Sequence, residues 1–529
     1  MTKTIYVALI CGLSLGLAGG TALAQKSGGV LKVVHRDNPP SASIHEEATN
    51  STVIPFQSVF NNLVLYRQDE PRNSLENIVP DLATAWSWNP TFTKLTFTLR
   101  QGVKWHDGKP FSAKDVKCTF DMLHGEGTGL RKNPRKSWYE NLKEVTVTSD
   151  TEVAFNMAAP QPGFLAVLAS GYTPVYPCHV PARDMRTKPI GTGPFKFVEG
   201  RQNESIKLVR NPDYGEKGLP YLDGIEYTIA SNRSTRVLGF IAGTFDLTFP
   251  FDTTVPVLKD LKSQAPKAIC ELRTTNVSTN LIVNRETAPF DNAKIRRAMM
   301  LTLDRKAFID IISEGHNKMG GAMLPPPSGV WGMPNEFLVG VAGYGPNVKA
   351  NREEGRKIMR ELGYGPDKPL KIKVSTRNIE VYRDPAVILI DHLKEIYIDA
   401  ELEVVDTSIW HAKVARKDYT VGLNLTGLGV DDPDANFFEN YSCKSERNYT
   451  QYCNPELEKL FHEQAKLVDQ DKRRKLVWEI DKQLQEDGAR PIIYHNTGAT
   501  CWHPHVKNMT TSENSVYNGF RYERVWLDK

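Results

Sequence analysis

Three places in the sequence gather residue types that do chemistry. In WHDGKPFSAKDV, residues 105–116, His106 and Asp107 stand side by side beneath a tryptophan. In LTGLGVDDPDANFF, three carboxylates, Asp431, Asp432 and Asp434, fall close together. Near the C-terminus, His503 and His505 flank a proline. A histidine and an aspartate can share a proton, two carboxylates can act as acid and base on a glycosidic bond, and two imidazoles can hold a metal. Each needs partners that converge in space. Neighbours along a strand point to opposite faces, so the adjacency of His106 and Asp107 is no sign of a triad. The two histidines lack further ligands nearby, so no metal or cofactor is expected. No nucleophile elbow, zinc-binding helix motif or phosphate loop occurs. An exported hydrolase built on the three aspartates is the rival reading. The leading one is a binding protein that assigns no catalytic residue.

The elements that position these groups can be read from periodicity. KLTFTLRQGVKW alternates Leu95, Phe97 and Leu99 with polar residues, which predicts a half-buried strand ending near Trp105. Asp107-Gly108 is then a turn, and Ser112 with Asp115 forms the capping box of a helix whose apolar face is Val116, Phe120 and Leu123. EVTVTSDTEVAFNM predicts a hairpin, and GIEYTIA another strand. Beyond Phe290 helices alternate with strands. Asp291 is read as the cap of one helix, Gly363 as the stop of the next, Asp384-Pro385 as the start of a third and Asn454-Pro455 as the start of a fourth. The last ~35 residues return to short strand-like runs such as PIIYHN, which periodicity assigns to strand. The whole reads as a mixed α/β protein with a break near residue 275.

A chain of 529 residues is too long for one core. A formal charge of +4, without a crowded basic face, argues against nucleic-acid binding. The N-terminus has one early lysine, an uncharged apolar stretch and the ending Ala22-Leu23-Ala24, the pattern of a secretory signal peptide cleaved near Ala24. Export makes disulfides permissible. Cys443 and Cys453 flank a polar loop and are expected to pair, which stabilises by roughly 2–3 kcal/mol in the loop-entropy model. The partners of Cys118, Cys178, Cys270 and Cys501 stay open.

The stretch from Leu63 to Leu123, LVLYRQDEPRNSLENIVPDLATAWSWNPTFTKLTFTLRQGVKWHDGKPFSAKDVKCTFDML, closely resembles the extracellular solute-binding proteins of family 5, the peptide- and nickel-binding receptors of ABC importers. The likeness continues through GTGPFKF, LVRNPDYG, APFDNAKIRRAMMLTLDR and DDPDANFFENYSC, in order along the mature chain. It implies a periplasmic-binding-protein-like, two-lobed clamshell. Residues 25–275 would form lobe one, with an extra subdomain at about 70–185; residues 276–491 would form lobe two, and 492–529 would return to lobe one. A small solute, first a short peptide or peptide-like compound, would lie between lobes that close about a hinge. Opines, oligosaccharides and chelated nickel or haem are the alternative solutes. The partners implied are membrane permease subunits of an importer, and the protein would be a periplasmic monomer.

In dipeptide-binding members an aspartate before the Asp-Pro step meets the ligand ammonium, and an arginine in lobe two meets its carboxylate. The resemblance places Gly429 at the first position, with Asp431 and Asp432 just after it. Asp432-Pro433 also reads as a helix cap. Arg377 falls close to the arginine position, and a planar guanidinium suits a carboxylate. Trp410 is a candidate wall of the cleft. Tyr494, His495 and Asn496 lie near a second crossing between lobes. Ser43 and His45 occupy the early cleft loop, NPPSASIHEEATN, which lacks the family's usual Leu-Asp-Pro.

Overall fold

The structure, a computed structural model, describes residues 25–126 and 129–529. The signal-peptide pattern and Cys11 lie outside the described residues. No helix among the described residues is long and apolar enough to cross a membrane.

One four-stranded sheet has the order Val30–His35, Gly224–Ile229, Ser205–Arg210, Phe195–Arg201; its first pair is parallel and the rest antiparallel. A second, all antiparallel, runs Ala83–Trp88, Lys94–Leu99, Glu152–Met157, Leu142–Ser149. The predicted strand and hairpin are therefore both present, because alternation lets one face bury Leu95, Phe97, Val153 and Phe155 completely. The helix Ala113–His124 lies on this sheet, Phe120 meeting Phe155 edge-on at 4.7 Å. Its capping box is formed by Ser112 and Asp115. The strand ends at Leu99, short of the expected end near Trp105, and His106 and Asp107 lie in a turn: the imidazole meets the Gly193 carbonyl at 3.0 Å, while Asp107 faces His179 at 2.7 Å. Gly191 and Gly193 run against the backbone of Val59, where a Cβ at Gly191 would stand 1.9 Å from the Val59 carbonyl oxygen. That contact explains why GTGPF needs its first glycine.

The third sheet has the order Ile398–Val405, Leu370–Arg377, Val421–Gly427, Ile269–Val283, Ile492–Trp502. Its last two strands are long and antiparallel. They pair from Ile269↔Trp502 to Thr274↔Thr497, slip, and resume at Ser278↔His495. At one end Ala499 and Cys501 pack with Phe240 and Leu261; at the other, Leu281, Val283, Ile493 and Tyr494 join a core with Met299 and Leu389. The same two strands thus serve two cores, and the molecule is two-lobed. The core around the first two sheets also receives Val516, Phe520, Val525 and Leu527 from the tail.

Two helix starts differ from expectation. The helix Ala293–Leu301 is capped by Asn292, whose side chain accepts from the Lys294 amide, not by Asp291. Asp384-Pro385 does not open a helix. Glu380–Lys394 begins earlier and carries Pro385 inside it, where the missing N–H forfeits one backbone bond. Asn454 caps Pro455–Ala465 as read, and Gly363 adopts a positive φ of 85°.

All six cysteines outside the N-terminal segment are bridged: Cys118–Cys178, Cys270–Cys501 and Cys443–Cys453. The last closes a loop of separation 10 that carries Arg447 and Tyr449. Replacing both Cys443 and Cys453 by serine is expected to lower the unfolding free energy by about 2–3 kcal/mol through the freed chain entropy. A denaturant titration checks this, and an unchanged midpoint would mean that the loop is held by packing alone.

Candidate functional site

The two lobes meet along a buried polar seam. Strand Val30–His35 delivers Arg36 and Asp37 at its end, and Thr49 caps the helix Asn50–Phe56 beside them. From the other lobe, strand Leu370–Arg377 ends on Arg377, which is 1% exposed. Its Nε donates to Thr407 Oγ1 at 2.7 Å and Nη1 to Thr49 Oγ1 at 3.2 Å. Nη2 reaches Ser51 Oγ at 2.9 Å and ion-pairs with Asp37. Burial opposes ionisation of Asp37, but Arg377 and Arg36 beside it override that and hold its carboxyl well below the usual range. Further pairs join the lobes nearby: Arg236–Glu380 at 3.3 Å, Arg233–Asp384 at 3.3 Å and Lys132–Glu446 at 2.7 Å.

Two compartments open along this seam. One is lined by Thr49, Phe251, Val277, Tyr382, Gly427 and Tyr517, with Arg36 and Arg377 as its charged groups. The other has Glu47, Ala48 and Pro134 on one side and His411, Arg447 and Tyr449 on the other. Ala48 touches both.

The residues singled out from sequence fall into two groups. Arg377 and Asn496 line the first compartment; the Asn496 amide also holds the Val277 carbonyl and Thr279 Oγ1, both at 3.0 Å, where the long strands slip. Gly429 lies at the contact between lobes: its carbonyl accepts from Ser170 Oγ at 3.3 Å, and a Cβ there would stand 2.4 Å from the Trp138 ring. Asp431 is buried close by. Its Oδ2 accepts from Asn514 Nδ2 at 3.3 Å and its Oδ1 has no partner. The others are held in packing. Asp432 caps Pro433–Asn440 and takes both ends of the Arg473 fork, at 2.9 and 2.7 Å. Trp410 is wholly buried and its indole donates to Asn424 Oδ1 at 3.2 Å. Tyr494 sits in the second core, and His495 meets the Gly321 carbonyl at 2.9 Å. His45 meets the Pro174 carbonyl at 2.9 Å, and Ser43 is fully buried. At the tail, His503 faces the Phe240 carbonyl and His505 faces Asp246.

Asp37, Thr49, Tyr382, His411, Arg447 and Tyr517 were not legible as cleft residues. They come from six separate segments, and only the pairing of the lobes brings them together.

Burial lifts the Asp431 carboxyl to about 7. Its folded value exceeds the ordinary 3.8, so the native state holds the extra proton between those values and stability falls as pH rises through that window. Asp431→Asn is expected to match the wild type near pH 4 and to exceed it above pH 7 by about 2–4 kcal/mol. Urea midpoints at the two pH values decide this; no gain at high pH would mean that the carboxylate ionises without penalty.

The family described as bacterial extracellular solute-binding proteins, family 5 Middle, matches residues 77–448. An oligopeptide-binding protein of Bacillus subtilis, AppA, is 28% identical over 457 residues, spanning 82% of this chain and 80% of that one. Among solved structures, the Helicobacter pylori periplasmic binding protein DppA in complex with the peptide STSA superposes with a TM-score of 0.83 at 21% identity, covering 95% of this chain and 99% of that one. AgaA of A. tumefaciens R10, in complex with agropinic acid, gives 0.80 at 20% identity, covering 95% and 99%.

Proposed function

The chain belongs to the bacterial extracellular solute-binding proteins of family 5, and from that premise we propose that it is the exported, periplasmic receptor of an ABC importer. It captures a short peptide or peptide-like compound between its lobes and releases it unchanged to the permease subunits. The observation that carries this reading is the seam itself, where cavities are walled from both lobes and crossed by two continuous strands. Such a site exists only when the halves meet, which is what a closing receptor requires. The lobes are taken as residues 25–275 with 492–529, and 276–491, with a signal peptide removed near Ala24 and the monomer as working unit. The solute contacts come from Thr49, Tyr382, Gly427, Asn496 and Tyr517, while Arg377 joins the lobes beside them.

Mass spectrometry of whatever is released on denaturation identifies the solute, and small-angle scattering with and without it reports closure. An intact solute and a smaller radius on binding are expected. A chemically converted solute would point to an enzyme, and an identical radius would remove the hinge.

A further inference from the structure

Three guanidiniums lie buried around the second compartment, and their charge is not matched. Arg135, Arg447 and Arg490 are 1%, 2% and 1% exposed. Arg447 ion-pairs with Glu439, itself buried. Arg135 gives Nη2 to the carbonyls of Ile44 and Glu47, both at 2.9 Å. Arg490 gives Nη1 to Thr426 Oγ1 and Asn440 Oδ1, and Nη2 to the Arg447 carbonyl at 2.7 Å. Neither Arg135 nor Arg490 has a carboxylate at ion-pair distance among the described residues. Three cations against one anion leave a surplus of two positive charges. Glu47 is half-buried and engages Ser41; counting it still leaves one. The other carboxylates of the compartment are occupied, Glu46 by Arg186 and Glu446 by Lys132.

Donor capacity is unspent in the same place. Arg447 Nε and Arg135 Nη1 are buried without partners, as is the Tyr172 hydroxyl. The Arg135 guanidinium lies 3.7 Å from the Tyr172 ring centroid, and that ring packs 4.6 Å from Tyr517, which lines the first compartment. His411, on the wall beside Arg447, has both ring nitrogens unpartnered. A buried cation without a counter-charge and a buried donor without an acceptor are both costly. One kind of ligand relieves both.

Resting on the reading of this cleft as a solute site, we infer that its solute is a net anion whose carboxylate is met by Arg447, with Arg135 and Arg490 supplying field from behind. An acidic peptide and a non-peptide polycarboxylate share that chemistry. Calorimetry on the dialysed protein with glutamyl-glutamate, alanyl-alanine, lysyl-lysine and citrate separates them. The acidic dipeptide or citrate is expected to bind at least tenfold tighter than alanyl-alanine, with lysyl-lysine weakest, and Arg447→Gln to erase that preference. Should that variant fail to fold, the wild-type charge series and the mass of the co-purified solute decide. Glutamyl-glutamate leading identifies a peptide and citrate leading a non-peptide acid, an anionic co-purified solute supporting the inference in either case; alanyl-alanine or lysyl-lysine leading overturns it. A neutral or cationic solute, or equal affinity across the series, overturns the inference and leaves the receptor reading standing. No bound probe together with no co-purified solute overturns both.

Discussion

Asp37→Ala should hold the lobes apart. Arg377 spends its whole fork on the seam, and Asp37 is its only carboxylate. Removing one partner of a buried pair costs about 3–5 kcal/mol, because the other charge is left without compensation. Here the cost falls on the closed arrangement alone, since Arg377 regains water when the lobes part. The expected result is a smaller compaction on adding solute than in the wild type and a solute affinity lower by about two to three orders of magnitude. The unfolding midpoint should move much less than that energy implies. Pairing the change with Arg377→Met removes the stranded charge and should restore part of the affinity. An unchanged compaction and affinity in Asp37→Ala would show that the pair does not govern closure.

Acid should unfold the protein well above the range where carboxylates titrate. Burial lowers His35, His106, His392 and His495 to about 4, and His45 to about 3, from an ordinary value of 6.5. Each is neutral in the native state and binds its proton more readily once unfolded. The stability this contributes is complete above pH 6.5 and is lost as pH falls towards the folded values. The shifts are worth about 3–5 kcal/mol each. Asp431 and Asp481, lifted by burial to about 7 and about 6, work in the opposite sense and offset part of the loss. The histidines outnumber them, so the melting temperature should drop steeply between pH 6.5 and 4. Calorimetric scans across that range check it; a flat profile would mean that the imidazoles reach solvent by local opening.

The scaffold was legible wherever one face of an element is buried. Alternation in KLTFTL and EVAFNM exposed the second sheet, and Ser112 with Asp115 marked the helix that covers it. The bridge between Cys443 and Cys453 could be read because they are near in sequence. Cys270 and Cys501, 231 residues apart, could not be matched without the register of the strands that carry them. Asp384-Pro385 misled because a proline is tolerated a turn inside a helix as well as at its start. The cleft was least legible. Arg377 stood out by resemblance, but its partners Asp37, Thr49 and Ser51 lie more than 320 residues away, and no local pattern marks them. Trp410 drew attention by its type, yet an indole beside a strand serves packing equally well, and here it fills a core.

Cys270 and Cys501 sit opposite one another on the two long strands, on the side of the slip nearer the first sheet. A covalent clip across neighbouring ribbons forbids one from sliding past the other. Any swing of one half of the molecule must therefore be a bend of both ribbons together, taken up where Thr275, Asn276 and Val277 leave register with Ile492–Trp502.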